Sequence, residues 1–353
     1  MNALELDTVL LSQDRKHLEI LDQTLLPNTV KVLKLDKLED IREAVYSLRV
    51  RGAPAIGVCA GYAMALVSSR SKMNDYGSFL AEFRENKACL ARARPTAVNL
   101  FHALDRMESV VVNNADKALD EIKEALFTEA QSIRDEDVSI SLAIGKHGLG
   151  LLHDGDGILT HCNAGTLATA KYGTATAPVY AALKAGYTRL RVYCDETRPL
   201  LQGARLTAFE MQNAGVDTTL LCDNMAASLM QSGKVDIIFV GCDRVARNGD
   251  TANKIGTLGL AVMAKHFGVP FYVCAPSSTI DMSIEDGTQI PIEYRKPEEV
   301  TDMWYAERMA PEGVSVYNPA FDVTDHSLIT GIITENGIMT EPFCGNFVRS
   351  GTE

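Results

Sequence analysis

From about residue 156 onward, short apolar runs alternate with segments of helical spacing, and this alternation constrains the fold more than any other feature of the chain. The runs are "GILTHCN", "RLRVYCDET", "DTTLLCDN", "VDIIFVGCD" and "VPFYVCAP". Between them stand "LATAKYGTATAPVYAALKAG", "PLLQGARLTAFEMQNAG", "MAASLMQSGK" and "LGLAVMAKHFG", which read as helices. Strands that are apolar at nearly every position are buried on both faces, which requires a parallel sheet covered by helices on each side. In such sheets ligands bind beyond the carboxyl ends of the strands. Cys162, Asp195, Asp223 and Asp243 fall at those ends.

The preceding sequence has another texture. Residues 38 to 147 are mostly helical, and the first ~35 residues suggest short strands. "ADKALDEIKEALFTEAQSIRDEDVSISLAIGKHG" is long enough to connect two domains. The chain of 353 residues exceeds one small domain. We expect a smaller, mainly helical N-terminal domain over 1–130 and an α/β domain over 131–353, with a long helix near the boundary.

Composition excludes several functions. The net charge of −12 argues against a general hold on nucleic acid or anionic membranes, so an anionic ligand needs a few concentrated cations. No apolar run reaches the ~20 residues of a membrane span, and the N-terminus "MNALELDTVLLSQDRKH" has no signal-peptide pattern. The eight cysteines form no C-x-x-C, so they read as reduced, mostly buried thiols of a cytoplasmic protein. No strand leads into G-x-G-x-x-G, "GDTANK" is one residue short of a P-loop, and the seven histidines form no H-E-x-x-H. Neither a nucleotide cofactor nor a dedicated metal is expected.

"RGAPAIG", "RPTAVN" and "RPLLQG" each place an arginine before a proline that opens an apolar helical pattern. Proline favours the first helical position, so Arg51, Arg94 and Arg198 are expected at helix N-termini. Lys254, in "ANKIG", is expected in a similar place. A cation there opposes the helix dipole and calls for a neighbouring anion, either a carboxylate such as Glu196 or a bound phosphate. Four such positions in an acidic chain favour the phosphate.

Two residues are candidates for chemistry. Asp243 sits at the mouth of a buried strand, where a carboxylate serves as acid or base, caps a helix or braces a loop. Cys162 ends a strand before Gly165 and Thr166, which are expected to open a helix that lowers the thiol pKa; the alternative is an inert buried cysteine.

The motifs "RVRGAPAIG", "RPTAVNL", "CNAG", "CDETRPLLQGARLT", "GCDRVARNGDTANKIGT" and "NPAFDVT" occur in an order that resembles the methylthioribose-1-phosphate isomerase family. That family shares a superfamily with regulatory subunits of translation initiation factor 2B and ribose-1,5-bisphosphate isomerase. The resemblance covers residues 45 to 335 and implies a Rossmann-like C-terminal domain and a homodimer. It implies conversion of 5-methylthioribose 1-phosphate to 5-methylthioribulose 1-phosphate in methionine salvage, without a cofactor. Cys162 and Asp243 then match the catalytic pair, and Arg51, Gly52, Ala53, Arg94, Gln202, Asn253 and Lys254 the substrate-binding positions. Cys242 stands where many members carry a small residue. Two alternatives remain: the same chemistry on 5-deoxyribose 1-phosphate, and a non-catalytic regulatory subunit.

Overall fold

The computed structural model describes residues 7–95 and 97–343. The start of the N-terminal segment and Cys344 lie outside the described residues. The chain divides into two compact units: the described residues up to Ser139 with Thr166–Gly173, and Ile140–Gly165 with Thr174 onward.

The first unit begins with the expected short strands, β1 (Val9–Leu11), β2 (Leu18–Leu21) and β3 (Val32–Leu35), in an antiparallel sheet of that order. Val9 pairs with Ile20, and Leu18 with Leu35. Helices α1 (Leu38–Tyr46), α2 (Ala53–Ser69), α3 (Tyr76–Ala91) and α4 (Val98–Asn113) follow, then α5 (Leu119–Leu149), which passes from this unit into the second. α2 is apolar all round and buried along nearly its whole length, as a central helix must be. Small residues allow this. A Cβ on Gly57 would stand 3.2 Å from the Asn99 carbonyl, and one on Gly61 3.1 Å from Ile133. Phe79 and Phe83, one turn apart on α3, are buried in the same core, each contributing about 1.5–3 kcal/mol.

The second unit contains β4 (Gly157–Thr160), α6 (Ala177–Lys184), β5 (Arg191–Asp195), α7 (Ala208–Asn213), β6 (Asp217–Leu221), α8 (Ala226–Gln231), β7 (Ile237–Val240), β8 (Arg244–Ala246), β9 (Thr251–Lys254), α9 (Thr257–Phe267), β10 (Phe271–Cys274), β11 (Ile280–Asp281), α10 (Glu298–Thr301), β12 (Phe321–Thr324), β13 (Gly331–Thr334) and β14 (Gly337–Met339). Its main sheet has the order β14-β13-β10-β7-β4-β5-β6. All neighbours are parallel except β14, which turns back along β13. From β4 the chain winds outward through β5 and β6, then returns to β7 on the other side and winds the opposite way. This is the doubly wound, Rossmann-type order, and its reversal lies between β4 and β7. The two strands at the reversal, "GILT" and "IIFV", are buried at every position. Edge strand β6 is mostly exposed.

Three local readings are corrected. "LATAKYGTATAPVYAALKAG" is not one helix. A short 3-10 turn over Thr166–Ala168 gives way to irregular chain, and α6 begins only at Ala177, where Pro178 fits the first turn. The stretch "GTATA" carries glycine and β-branched threonine, which resist helix. The polar segment after β7 is not a plain loop: it forms the hairpin β8–β9, part of a second sheet ordered β11-β8-β9-β12. Cys222 is exposed, whereas Cys59, Cys194 and Cys274 are buried as expected. No helix among the described residues is long and apolar enough to cross a membrane.

Candidate active site

Cys162 follows β4 by two residues and Asp243 follows β7 by three, so they leave the two strands that flank the reversal. The loops they start run close together: a Cβ on Gly241 would come within 2.5 Å of the Ala164 Cβ. Asp243 is exposed and its amide donates to the Ala252 carbonyl at 2.9 Å, which fixes its backbone to β9. It begins a hairpin, not a helix, so it is not a helix cap.

Cys162 has a left-handed backbone, φ +65°. A non-glycine residue in this region is held there at a cost by its surroundings. The Cys162 amide donates to Thr197 Oγ1 at 2.8 Å, and Thr207 Oγ1 donates to the Cys162 carbonyl at 2.5 Å. Asn163 Nδ2 donates to Thr207 Oγ1 at 3.1 Å and to Glu210 Oε1 at 3.0 Å. Thr197 is also left-handed, φ +64°, and its hydroxyl donates to the Asp195 carbonyl at 3.0 Å. The amides of Thr197 and Arg198 donate to the two oxygens of Asp223 at 2.7 and 2.8 Å. The ends of β4, β5 and β6 are thus joined by one polar network. The short turn after Gly165 gives Cys162 no α-helix N-terminus, so that expected cause of a lowered thiol pKa is absent.

Of the four cations expected at helix starts, only Arg51 is in place. It precedes Gly52, the N-cap of α2, with Pro54 in the first turn. Gly52 has φ +86°, and a Cβ there would lie 2.4 Å from the Ala168 backbone, so no other residue fits. α4 starts at Val98, and Arg94 and Pro95 lie in the turn before it. Lys254 ends β9, ahead of the α9 N-cap Gly256, with its Nζ 4.2 Å from the centre of the Phe321 ring. Arg198 precedes a turn and then a π-helical segment, Gly203–Thr207. Its guanidinium donates to the carbonyls of Val300 at 2.7 Å and Pro199 at 3.2 Å, which makes it a brace between segments.

Gln202 opens the π-helical segment, is 8% exposed, and its Oε1 has no hydrogen-bond partner among the described residues. A buried acceptor without a donor costs free energy until a ligand or water supplies one. Asn253 is buried on β9, opposite Asp322 of β12, and its Nδ2 donates to Thr257 Oγ1 at 3.0 Å. The motifs "GCDRVARNGDTANKIGT" and "NPAFDVT" are therefore neighbours in one sheet. Asp322 accepts the Gly256 and Leu258 amides at 2.8 and 3.2 Å and caps α9. Ala53 opens α2 beside Gly52.

Cys242 is set apart from this machinery. Burial pushes its thiol up to about 12, and it faces Thr279 Oγ1 at 3.3 Å, so it stays neutral. His161, Asp195 and Asp223 present ligand atoms within 4.8 Å of one another, the kind of cluster that holds a metal. Both Asp223 oxygens already accept backbone amides, and both His161 nitrogens already face protein oxygens. The His161–Asp195 contact has no trace in local sequence pattern; its only signal is that Asp195 ends the strand beside β4.

These features define a Rossmann-type sheet whose reversal point is flanked by Cys162 and Asp243. Comparison with known proteins places it more closely. Residues 49–341 match the Initiation factor 2 subunit family. Methylthioribose-1-phosphate isomerase of Symbiobacterium thermophilum is 59% identical over 96% of this chain and 94% of its own length. 5-Deoxyribose 1-phosphate isomerase of Petrotoga mobilis is 54% identical over 95% of this chain and 96% of its own. The crystal structure of 5-methylthioribose 1-phosphate isomerase from Pyrococcus horikoshii superposes with a TM-score of 0.94 at 46% identity, covering 99% of this chain and 97% of that one. The chain belongs to the Initiation factor 2 subunit family and, within it, to the methylthioribose-1-phosphate isomerases.

Proposed function

We propose that this protein converts 5-methylthioribose 1-phosphate to 5-methylthioribulose 1-phosphate, an aldose–ketose isomerisation of methionine salvage, in the cytoplasm and as a homodimer. The observation that carries the reading is the placement of Cys162 and Asp243 beyond the two strands at the sheet's reversal, in a chain 59% identical to an isomerase of that name. Arg51, Gly52, Ala53, Arg94, Gln202, Asn253 and Lys254 bind the sugar phosphate in this reading. The buried Gln202 Oε1, without a partner among the described residues, supports its share, as an acceptor for a sugar hydroxyl.

The 1-phosphate locks the anomeric carbon as an acetal, so the ring must open before hydrogen moves. Protonation of the ring oxygen breaks its bond to C1. Hydrogen then passes from C2 to C1 and the 2-hydroxyl loses its proton. One proton enters and one leaves, so the reaction balances without a redox cofactor. Asp243 and Cys162 are the acid–base pair, and the hydrogen moves either as a proton through an enol-like species or as a hydride. Phosphate binding supplies orientation that the reacting carbons cannot.

A second reading keeps the chemistry and replaces the methylthio group by hydrogen. It is favoured by the relative named 5-deoxyribose 1-phosphate isomerase at 54% identity. Apolar pockets separate such substrates by only about 1–3 kcal/mol per methylene-sized change. Phosphorus and proton NMR of the purified protein with each sugar phosphate tests both readings. Ketose formation that vanishes in Asp243→Asn is expected, and the ratio of the two kcat/KM values ranks the substrates. Deuterium from solvent at C1 would mark proton transfer. Folded protein that turns over neither sugar would overturn the isomerase reading in favour of a regulatory subunit.

A further inference from the structure

His161 lies one residue before Cys162 and is 2% exposed. Its Nδ1 is 3.0 Å from Asp195 Oδ2, and its Nε2 is 2.9 Å from the Ile255 carbonyl oxygen. A carbonyl oxygen can only accept, so Nε2 carries a hydrogen. That leaves Nδ1 facing a carboxyl oxygen. If Nδ1 were bare and Asp195 ionised, two lone pairs would meet in a buried space. A second proton must therefore lie between them, on Nδ1 or on Oδ2. The pair holds two protons and is neutral overall, as an imidazolium–carboxylate or as the two neutral acids that share the same proton.

The surroundings fit this count. Burial works against a charge on His161, but the Asp195 hydrogen bond and charge, the Ile255 carbonyl and Asp223 outweigh it and hold the imidazole above its ordinary value. Burial pushes Asp195 up as well, against the pull of His161. Both shifts favour retention of the shared proton. The carboxylates that act on the imidazole come from three elements: Asp195 at the end of β5, Asp223 after β6 and Asp322 on β12. Asp195 Oδ1 has no hydrogen-bond partner among the described residues, so the charge of Asp195 rests on His161.

The same ring is mechanically central. A Cβ on Gly256 would fall 2.7 Å from the imidazole Cε1 and 2.8 Å from Nε2, so the ring lies directly against this left-handed glycine. One side chain thus fixes its own strand end, which leads into Cys162. It also fixes Asp195, whose carbonyl receives the Thr197 hydroxyl that holds Cys162, and the turn that follows Asn253 and Lys254.

We propose that His161, sharing a buried proton with Asp195, is a positioning residue that sets Asn253 and Lys254 in register with Cys162, and that the site loses this register when the proton leaves. The sign follows from the direction of the shifts. The contribution is complete below the ordinary histidine value near 6.5 and is lost as pH rises through the higher value of the folded pair. The functional half of this inference rests on the isomerase reading; the protonation half does not.

The test begins with long-range proton–nitrogen NMR of the full-length protein labelled with 15N-histidine. A proton on Nε2 and a second, low-field proton shared between Nδ1 and Asp195 are expected at pH 6.5, the second lost only as pH rises further. A single protonated nitrogen at that pH with no low-field proton shared with Asp195 overturns the proposal, whatever the enzyme turns over. Asp195→Asn then keeps a hydrogen bond to Nδ1 but removes the shared proton. We expect kcat/KM for the sugar phosphate to fall about tenfold or more, with the alkaline limb of the wild-type pH profile lost and circular dichroism unchanged. His161→Gln, which retains an amide N–H for Ile255 and cannot share the proton, is expected to behave alike and serves if the first variant does not fold. Wild-type kcat, KM and pH profile in a folded variant would overturn the positioning role. Failure of the wild-type enzyme on both sugars would instead overturn the isomerase reading and leave the NMR result standing.

Discussion

The amide of Cys162 donates to the hydroxyl of Thr197 at 2.8 Å, and both residues hold left-handed backbones, φ +65° and +64°. Each conformation is unfavourable for its residue, most of all for a β-branched threonine. The hydrogen bond and the two amides on Asp223 keep them in place. Thr197→Val removes the hydroxyl and leaves the Cys162 amide without its acceptor. About 1–3 kcal/mol of stability should be lost, and kcat should fall more than KM rises, because the thiol is released from its fixed direction. Thr197→Ser retains the hydroxyl and should restore most of the rate. Urea unfolding and steady-state kinetics of the two variants check this; a valine variant with full kcat would show that the strained backbone is incidental.

Gly52 offers a sharper case. Its φ is +86°, and a methyl group on its Cα would come within 2.4 Å of the Ala168 backbone, which leaves no room for any side chain. Gly52→Ala must displace the start of α2 or the Thr166–Gly173 segment. The expected cost is about 2–4 kcal/mol in denaturant unfolding, beyond the usual glycine-to-alanine gain in a compatible site.

These two residues show where sequence is legible and where it is not. Gly52 stands in "RGAP", where the Pro54 signal for a helix start is local and correct. The same signal failed at Arg94 and Arg198, because α4 begins only at Val98 and a turn separates Pro199 from the π-helical segment. β4 and β7 were readable because burial on both faces makes their sequences apolar throughout. β8 and β9 were not, since "RVA" and "TANK" belong to a small sheet that carries Arg, Thr, Asn and Lys side chains, so polarity hides the strand period. The Asp195 and Asp223 strand ends were legible, but the bonds that His161, Thr197 and Thr207 make there join residues 34 to 45 apart, and no local pattern records them.

Arg198 and Lys254 should separate cleanly in kinetics. Arg198 spends its guanidinium on the Val300 and Pro199 carbonyls, so Arg198→Ala should lower the melting temperature and change KM less than about threefold. Lys254 projects from β9 across the Phe321 ring, and in the proposed function it meets the substrate. Lys254→Ala should raise KM about tenfold or more, with an effect that shrinks as salt rises, as befits a charge–phosphate contact. The reverse pattern, a large KM effect at Arg198 and none at Lys254, would exchange their roles.

Asp137 provides a pH signature in the first unit. It lies on α5, half-buried, and its Oδ2 accepts the Ala170 amide at 2.6 Å. Burial pushes its carboxyl up to about 6, against that hydrogen bond and the Arg134 charge. A carboxyl whose folded value is raised binds its proton more tightly when folded. Its contribution is therefore most favourable below the ordinary value near 3.8 and is lost as pH rises through about 6. Partial exposure limits the loss to roughly 1–2 kcal/mol. Asp137→Asn keeps an oxygen for Ala170 and has no charge to bury. It should raise the unfolding midpoint at pH 8 and leave it nearly unchanged at pH 4, measured by urea unfolding at both values. An equal shift at both would assign the effect to packing and remove Asp137 from any pH dependence of the fold.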